Sequence, residues 1–538
     1  MNISTKAIRC LFVLIGLSCA VVFNASAQNV NSLSLSSAGD TARWDTVLVG
    51  EKPTGNNVTV MAGDTVSLDD SATCARLSIQ KGAILNSLSN AANGDAYILQ
   101  TGTGTAPTPD TLDNEGVFGS ASGTNDGIAL AIPASSSALK LMGGGTTAIG
   151  LIRPAQYNAA LVFDAAQDLS LNYNGIAFSA LPLVDSNSTT NKIIFNVDTG
   201  KTLTIINPHG QFQGDPGVYG GNYTYNIYGT LDLTATKDTQ QVVPDYANSI
   251  SAASVTTVNI SGKWNLGLGF NPAKSGAPTS GTIIFNILAG GVVDATKTSV
   301  LSTGTSYFTT NGSGVFIRRV DNTGETFPVG ATGSSTFSPI TLTNSGTAIN
   351  FSVSVKNRFD NPVPNSNNVV NKQWTITADS SGVSDIVVSP GWITGDQAAG
   401  FSTARSISVI RYNGSDWAAS NATLSGLGTA ANPYAATAGG FSTFGIFAVE
   451  NSPVNTDGLT QLSVYPNPVS SDFTVIFPTL HSGGTLGIAS ISGQKMYSTP
   501  LSSGSASWNG NISNWASGVY ILTLQQGGKR ASVKLIKL

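Results

Sequence analysis

Charge is scarce in this 538-residue chain: Asp, Glu, Lys and Arg fill 10% of positions, against ~25% in an average soluble protein. Only four glutamates occur, Glu51, Glu115, Glu325 and Glu450, and Lys is sparse. The strong helix formers other than Ala and Leu are therefore missing, which disfavours a helical bundle, a coiled coil or a Rossmann-type α/β enzyme. Histidine appears twice, at His209 and His481. That leaves no His-rich zinc set and no H-E-x-x-H helix. A formal charge of −4 removes the electrostatic case for nucleic-acid binding. The longest apolar run, residues 10–23, falls short of the ~20 residues of a comfortable bilayer span.

That run has the layout of an export signal. Lys6 and Arg9 precede it, and Ala25-Ser26-Ala27 before Gln28 supplies the small-residue cleavage pattern,. Cleavage after Ala27 removes two positive charges and leaves no transmembrane segment in the mature chain. It also removes Cys10 and Cys19, so that only Cys74 of the three cysteines remains. One thiol makes no internal disulfide, so burial and backbone pairing must hold the exported protein together. Cys74 sits in the strand-like Ala72-Thr73-Cys74-Ala75-Arg76-Leu77 and reads as a buried, inert thiol.

Glycine is plentiful, with 59 residues, and it punctuates a loose repeat. Val58-Thr59-Val60-Met61-Ala62-Gly63, Leu77-Ser78-Ile79-Gln80-Lys81-Gly82, Ile227-Tyr228-Gly229-Thr230-Leu231-Asp232 and Ile260-Ser261-Gly262-Lys263-Trp264-Asn265 each alternate apolar and polar residues into a Gly bend,. The spacing is uneven, as one coil of a β-solenoid with loops of varying length would make it. Ordinary antiparallel sandwiches alternate in the same way. These units resemble the right-handed parallel β-helix of pectate-lyase-like and bacterial surface proteins. The resemblance implies some ten coils at ~4.8 Å each, over residues 28–314.

From 315 to 450 the strands lengthen, as in Phe351-Ser352-Val353-Ser354-Val355 and Ile407-Ser408-Val409-Ile410-Arg411-Tyr412, and read as a β-sandwich. The segments Phe327-Pro328-Val329-Gly330, Arg411–Trp417 and Phe441–Gly445 are similar to a sandwich module that precedes sorting tails in Bacteroidetes surface proteins. Residues 451–461 form a polar linker. Residues 462–538 open on Tyr465-Pro466-Asn467-Pro468, turn at Gly493, continue through Gly518-Val519-Tyr520-Ile521-Leu522, and close on a basic strand with Lys534 and Lys537. This pattern resembles the type A C-terminal sorting domain of the type IX secretion system, a small Ig-like sandwich. The expected fold is thus all-β: a parallel β-helix (β-solenoid), a β-sandwich, and a small C-terminal Ig-like β-sandwich. The resemblance implies that outer-membrane type IX machinery and its sortase are partners. It also implies export through the periplasm and outer membrane, with the product extracellular or on the cell surface.

No catalytic set, metal set or cofactor motif emerges. His209 has no G-x-S-x-G elbow to serve it. Asp69-Asp70 lacks a neighbouring His and reads as a polar turn. A polysaccharide lyase or hydrolase on this scaffold would draw on Lys201, Lys263, Asp232 and Asp294, which sit beside coil strands. Phe212, Tyr219, Tyr223, Tyr225 and Tyr228 crowd a Gly-rich stretch and are candidates for stacking on sugar rings, or for covering the core column. The functional expectation is a non-enzymatic adhesion or carbohydrate-contact module, with a polysaccharide or a host or surface glycan as partner. An enzyme on the same scaffold and a purely structural surface component are the alternatives.

Overall fold

A computed structural model describes residues 29–31, 41–43, 57–68, 70–88, 97–101, 110–119, 127–132, 137–154, 160–171, 192–205, 222–234, 255–270, 282–301, 307–310, 312–332, 337–380, 385–451, 462–478, 480, 483–526 and 529–538. The signal and its cleavage residues Ala25, Ala27 and Gln28 lie outside them, as do Phe212, Tyr219, His209, His481 and Asp69. Apart from two short 3-10 turns, the described elements are strands. The chain divides into two compact units, residues 1–222 and 223–538.

In the first unit, successive short strands pair in parallel. Val58, Leu77, Leu112, Leu141, Ala165 and Val197 stand in lateral register on one face. Val66, Leu85, Phe118, Thr147, Leu169 and Leu203 do so on a second. Over four coils a third face adds Ala72, Leu99, Leu130 and Ile152. All these side chains are buried. Inward columns of this kind are what a parallel β-helix requires, since alternation sends every second residue to the interior. Val58 and Leu77 are 19 residues apart and Leu77 and Leu112 are 35 apart, yet they stack equally well. Loops between the strands absorb the difference.

A hydrogen-bonded polar cluster lies within the core. Asn114, Thr147 and Gln167 are each no more than 2% exposed. Asn114 Nδ2 donates to Thr147 Oγ1 (2.9 Å), Thr147 Oγ1 donates to Gln167 Oε1 (3.0 Å), and Gln167 Nε2 donates to the Asn114 carbonyl (3.1 Å). Each buried amide has partners, so the cluster avoids the cost of stranded polar atoms. Cys74 is fully buried, and burial pushes its thiol up to about 12.

The second unit repeats the coil with larger side chains. Val258, Phe285, Phe308 and Val329 form one column, and Leu231, Trp264, Val293 and Phe316 another. Phe285 and Phe308 stack with ring centroids 4.8 Å apart. Beside them runs a ladder of side-chain amides. Asn259 Nδ2 donates to Asn226 Oδ1 and Asn286 Nδ2 to Asn259 Oδ1, both at 2.9 Å, and Thr309 Oγ1 donates to Asn286 Oδ1 at 2.8 Å. The turns stack as closely as the strands. A Cβ on Gly262 would lie 2.0 Å from the Gly229 carbonyl oxygen, and one on Gly291 2.0 Å from that of Ile260.

The parallel coil passes into antiparallel sheet through one strand. Val315–Val320 pairs in parallel with Val292–Asp294 and antiparallel with Ile349–Lys356, while Val329–Ala331 still pairs in parallel with Phe308–Thr310. Thr310 seals this junction: its hydroxyl donates to the Val355 carbonyl and accepts from the Val355 N–H, both at 2.6 Å. Two antiparallel sheets follow. One runs through Ile349–Lys356, Gln373–Ala378, Gly445–Asn451 and Ile407–Tyr412, the other through Ile340–Asn344, Ile386–Trp392 and Tyr434–Phe441. The long strand Trp417–Ser425 pairs with both, which is how sandwiches turn a corner.

Buried charge in the sandwich is mostly paired. Lys372 and Asp396, each 3% exposed at the side chain, meet at 2.7 Å. Arg318 pairs with Glu325 and donates to the Thr326 carbonyl at 2.7 Å. Glu450 differs. It is 3% exposed, no described group bonds its Oε2, and burial pushes its carboxyl up to about 7.

Two outcomes follow from this packing. Gly262→Ala is expected to lower unfolding stability by about 1–3 kcal/mol through overpacking, read from denaturant or thermal unfolding; an unchanged midpoint would contradict the close approach. Glu450 binds its proton more tightly folded than unfolded, so its neutral form costs nothing below the ordinary value near 4.5 and the penalty grows as pH rises toward 7,. Glu450→Gln should therefore flatten the stability profile between about pH 4.5 and 7, gaining roughly 3 kcal/mol over wild type above that window.

Candidate functional site

The carboxy-terminal residues build a self-contained sandwich. A three-stranded sheet places Asp472–Ile476 between Ser463–Tyr465 and Ser507–Asn511. A four-stranded sheet runs Lys495–Leu501, Gly484–Ser490, Gly518–Gln526, Lys529–Lys537. Val469, Phe473, Val475, Leu486, Ile488, Leu522, Leu524 and Leu535 belong to its own buried core.

Each sequence-predicted position here has a definite place. Tyr465 ends its strand exposed, and Pro466, Asn467 and Pro468 form an exposed bend that fastens onto the last strand. Asn467 Nδ2 donates to the Lys534 carbonyl (2.6 Å), and its Oδ1 accepts from the Ile536 N–H (2.8 Å). The Val469 N–H donates to the Ile536 carbonyl at 2.8 Å. Gly493 has φ +88° in the turn between its two strands, a conformation that L side chains rarely adopt. Tyr520 is 6% exposed and donates its hydroxyl to the Ala516 carbonyl at 2.8 Å, the bond of a tyrosine corner in Ig-like sandwiches. Leu522 is fully buried. Nothing around Gly518 requires a glycine. Lys534 is exposed on the final strand, and Lys537 Nζ donates to the Leu538 carbonyl at 2.8 Å. Residues 455–538 hold five Lys and Arg against two Asp, so the module is basic while residues 28–454 are acidic.

A second grouping lies on the coils of the second unit. Asp232, Asn265 and Asp294 occupy the same register on three successive strands, each as the last residue of its strand. These three residues and Lys263 border a polar cleft of about 190 Å³ together with Thr296 and Lys297. Lys263 Nζ reaches Asp294 Oδ2 at 3.0 Å. Asp232 Oδ1 accepts from the Thr234 N–H at 2.9 Å. Asp294 Oδ1 accepts from the Thr296 N–H at 3.1 Å and from the Thr296 hydroxyl at 2.7 Å. Burial alone would raise the Asp294 carboxyl, but bonds from Thr296 and Lys263 outweigh it and hold the group below the usual carboxylate range. Three of the four carboxylate and lysine candidates thus converge. The fourth, Lys201, closes a turn in the first unit by donating its N–H to the Asp198 carbonyl at 3.0 Å, and it does not line the cleft. Asp70 accepts from the Ser71 N–H within its turn.

The aromatic cluster separates. Tyr225 points inward at 3% exposure, because alternation along Asn222–Ile227 assigns it to the core. It is therefore corrected from a sugar-stacking candidate to a core residue. Tyr223 lies on the same strand, and Tyr228 is 45% exposed in the turn leading to Thr230–Asp232. Sequence reasoning missed the Asn226–Asn259–Asn286 ladder and the Asn265 position in the cleft. The recurring Asn-Ile pair two to four residues before each turn glycine was the available signal.

Comparison with known families accounts for the tail. Residues 463–538 match the family model of the secretion system C-terminal sorting domain. No curated protein and no solved structure shows significant similarity to the chain. A tail of this family marks its chain as a Bacteroidetes passenger of the type IX secretion system, which engages that machinery and travels to the cell surface or beyond it. Asn467→Ala should remove both clamps on the last strand. The expected result is faster hydrogen exchange at the Ile536 amide, with a local loss of about 1–3 kcal/mol; unchanged protection would show that the turn is held elsewhere.

Proposed function

We propose that this type IX passenger acts, after export, as a non-enzymatic contact module that binds carbohydrate or adheres to a glycan-bearing surface. The observation carrying this reading is the pairing of the sorting module with coils that gather Asp232, Lys263, Asn265 and Asp294 around one polar cleft. Side chains that both donate and accept, set on a rigid sheet, suit hydroxyl-rich ligands. The division into an amino-terminal signal, a helix to about 314, a sandwich to 450 and a tail from 462 fits a passenger whose address label is detached from its working part. No helix among the described residues is long and apolar enough to cross a membrane.

A lyase on the same scaffold is the second reading, favoured by the convergence of Lys263 with two aspartates. Against it, the Lys263 ammonium is already bonded to Asp294, where a general base must reach its substrate proton.

Two measurements test the proposal together. The purified mature chain, presented with pectins, alginates, glycosaminoglycans and neutral glycans, is expected to bind without releasing unsaturated or reducing sugars; catalytic release would establish the enzyme, and no binding would leave a structural role. Deleting residues 456–538 should strand the chain in the periplasm, read by fractionation. Surface display of the truncated chain would refute tail-dependent export.

A further inference from the structure

We propose that the outer face of the four-stranded sheet in the sorting module is the surface read during export, and that it docks on a carboxylate-bearing face of an outer-membrane protein of the type IX machinery. Membership of the tail in its family makes the module a thing to be recognised; the proposal adds which face is read and what chemistry reads it. Alternation along the strands sends Leu486, Ile488, Leu522, Leu524 and Leu535 into the module's own core and the residues between them to the opposite side. On that side one lateral row runs Lys495, Ala489, Ile521, Lys534. The next row is Ser498, Gly487, Thr523, Ser532, and in the row after it Arg530 stands beside Gln525. Lys495, Arg530 and Lys534 are all exposed. At ~4.8 Å between strands and ~3.4 Å per residue, the three cations mark three corners of a patch about 14 Å on a side.

No carboxylate stands in these rows. Asp472 is the one acidic side chain of residues 463–538; it belongs to the other sheet, where the Asn511 amide donates to it at 2.6 Å. The patch is also concave. A shallow depression of about 360 Å³ lies between Lys495 and Arg530, over Gly487, Ala489 and Ser498, whose short side chains leave room for a partner to approach the sheet. Arg530 is held in place above it, because its Nη2 donates to Thr523 Oγ1 at 3.4 Å and that hydroxyl shares a 3.0 Å hydrogen bond with the Ser532 hydroxyl. A guanidinium so fixed offers a carboxylate paired donors, and the two lysines add point charges at the far corners. Between the cations stand only neutral side chains, several with hydroxyls, as suits a polar protein surface. An anionic lipid surface fits less well. Membrane-binding polybasic segments gather about four to eight cations, and interfacial ones add aromatic or long apolar side chains that insert; these rows hold three cations and no aromatic ring.

The test follows the full chain in the producing bacterium, by fractionation and surface labelling. Lys495→Gln, Arg530→Gln and Lys534→Gln together are expected to lower the surface-exposed fraction about tenfold or more, with the chain retained in the periplasm. Lys495→Arg, Arg530→Lys and Lys534→Arg together keep the charges and should export normally; loss of export here would show that charge is not what is read. Ser463→Glu with Ser507→Glu matches the charge change of the Lys495→Gln/Lys534→Gln pair on the exposed face of the other sheet, and should leave export intact where that pair lowers it. An equal loss in both would reduce the effect to net charge and overturn the face. Carbodiimide coupling in the same cells is expected to join Lys495 or Lys534 to an Asp or Glu of an outer-membrane protein. Adducts confined to the chain's own acidic residues would overturn the external partner. Flotation of the purified chain with vesicles of phosphatidylcholine and phosphatidylglycerol, lost in the glutamine variant, would replace the protein partner by a lipid surface. Full export of the glutamine variant, beside periplasmic retention of the chain lacking residues 456–538, would overturn the face while leaving tail-dependent export in place.

Discussion

Parallel coils stack only where each turn of the chain can pass directly over the one before it. At Gly262 and Gly291 the carbonyl of the preceding coil occupies the place of a Cβ, and the Lys263 and Val292 amides donate to the Gly229 and Gly262 carbonyls at 2.8 and 2.9 Å. Once the turns are locked in this way, the strands that leave them have no freedom of register. Slipping by one residue would turn each apolar column outward. Like side chains must then lie over like: Phe285 over Phe308, Asn226 over Asn259 over Asn286. The ladder bonds these amides to one another, so polar positions at the coil need no formal charge. The unusual composition of the chain follows from that economy.

The same constraint decides where charge is tolerated. Lys372–Asp396 and Arg318–Glu325 are buried as pairs in the antiparallel part of the second unit, where a lone ion would be prohibitive. In the first unit Asp64 is also buried, but the hydrogen-bonded cluster within the core, Asn114, Thr147 and Gln167, is neutral. Neutral amides carry a smaller desolvation cost than ions and can be satisfied within adjacent coils. Glu450 departs from the pattern. Burial raises its carboxyl to about 7, so it holds its proton under mildly acidic conditions, and no described group bonds its Oε2.

Alternation and glycine bends are local signals, so the all-β class, the coil repeat and the tail strands were readable from residues near one another. Parallel pairing itself was also the right choice over antiparallel sandwiches for the first half, as Val58–Leu77 and Phe285–Phe308 attest. What could not be read depends on register across loops of unequal length. Gln167 bonds Asn114 across 53 residues, and the Ile536 N–H meets Asn467 across 69; neither partnership leaves a mark in sequence spacing. Asp232, Lys263 and Asp294 could be singled out for lying beside coil strands, but their convergence rests on lateral pairing across offsets of 33 and 29 residues. Tyr225 and Tyr228 look alike in a Gly-rich aromatic stretch, and only the strand phase separates a core ring from an exposed one.

The sorting module shows why address and activity can be separate properties of one chain. Its core is drawn from residues 469–535, and its opening turn is clamped by its own last strand through Asn467 and Val469. A recognition unit closed in this way keeps its shape whatever passenger precedes it, and so carries no information about ligand. Under the proposed contact role, ligand choice would be written on the passenger, and there the stacking rule narrows the alphabet. Inward positions and turn glycines are committed to packing, so variation is affordable only at outward positions and in the loops. Outward residues in register act as a set, because a side chain on one coil stands beside its counterparts on the next. Asp232, Asn265 and Asp294 are such a set, and their differing charge states across three otherwise similar coils are what packing alone leaves unexplained.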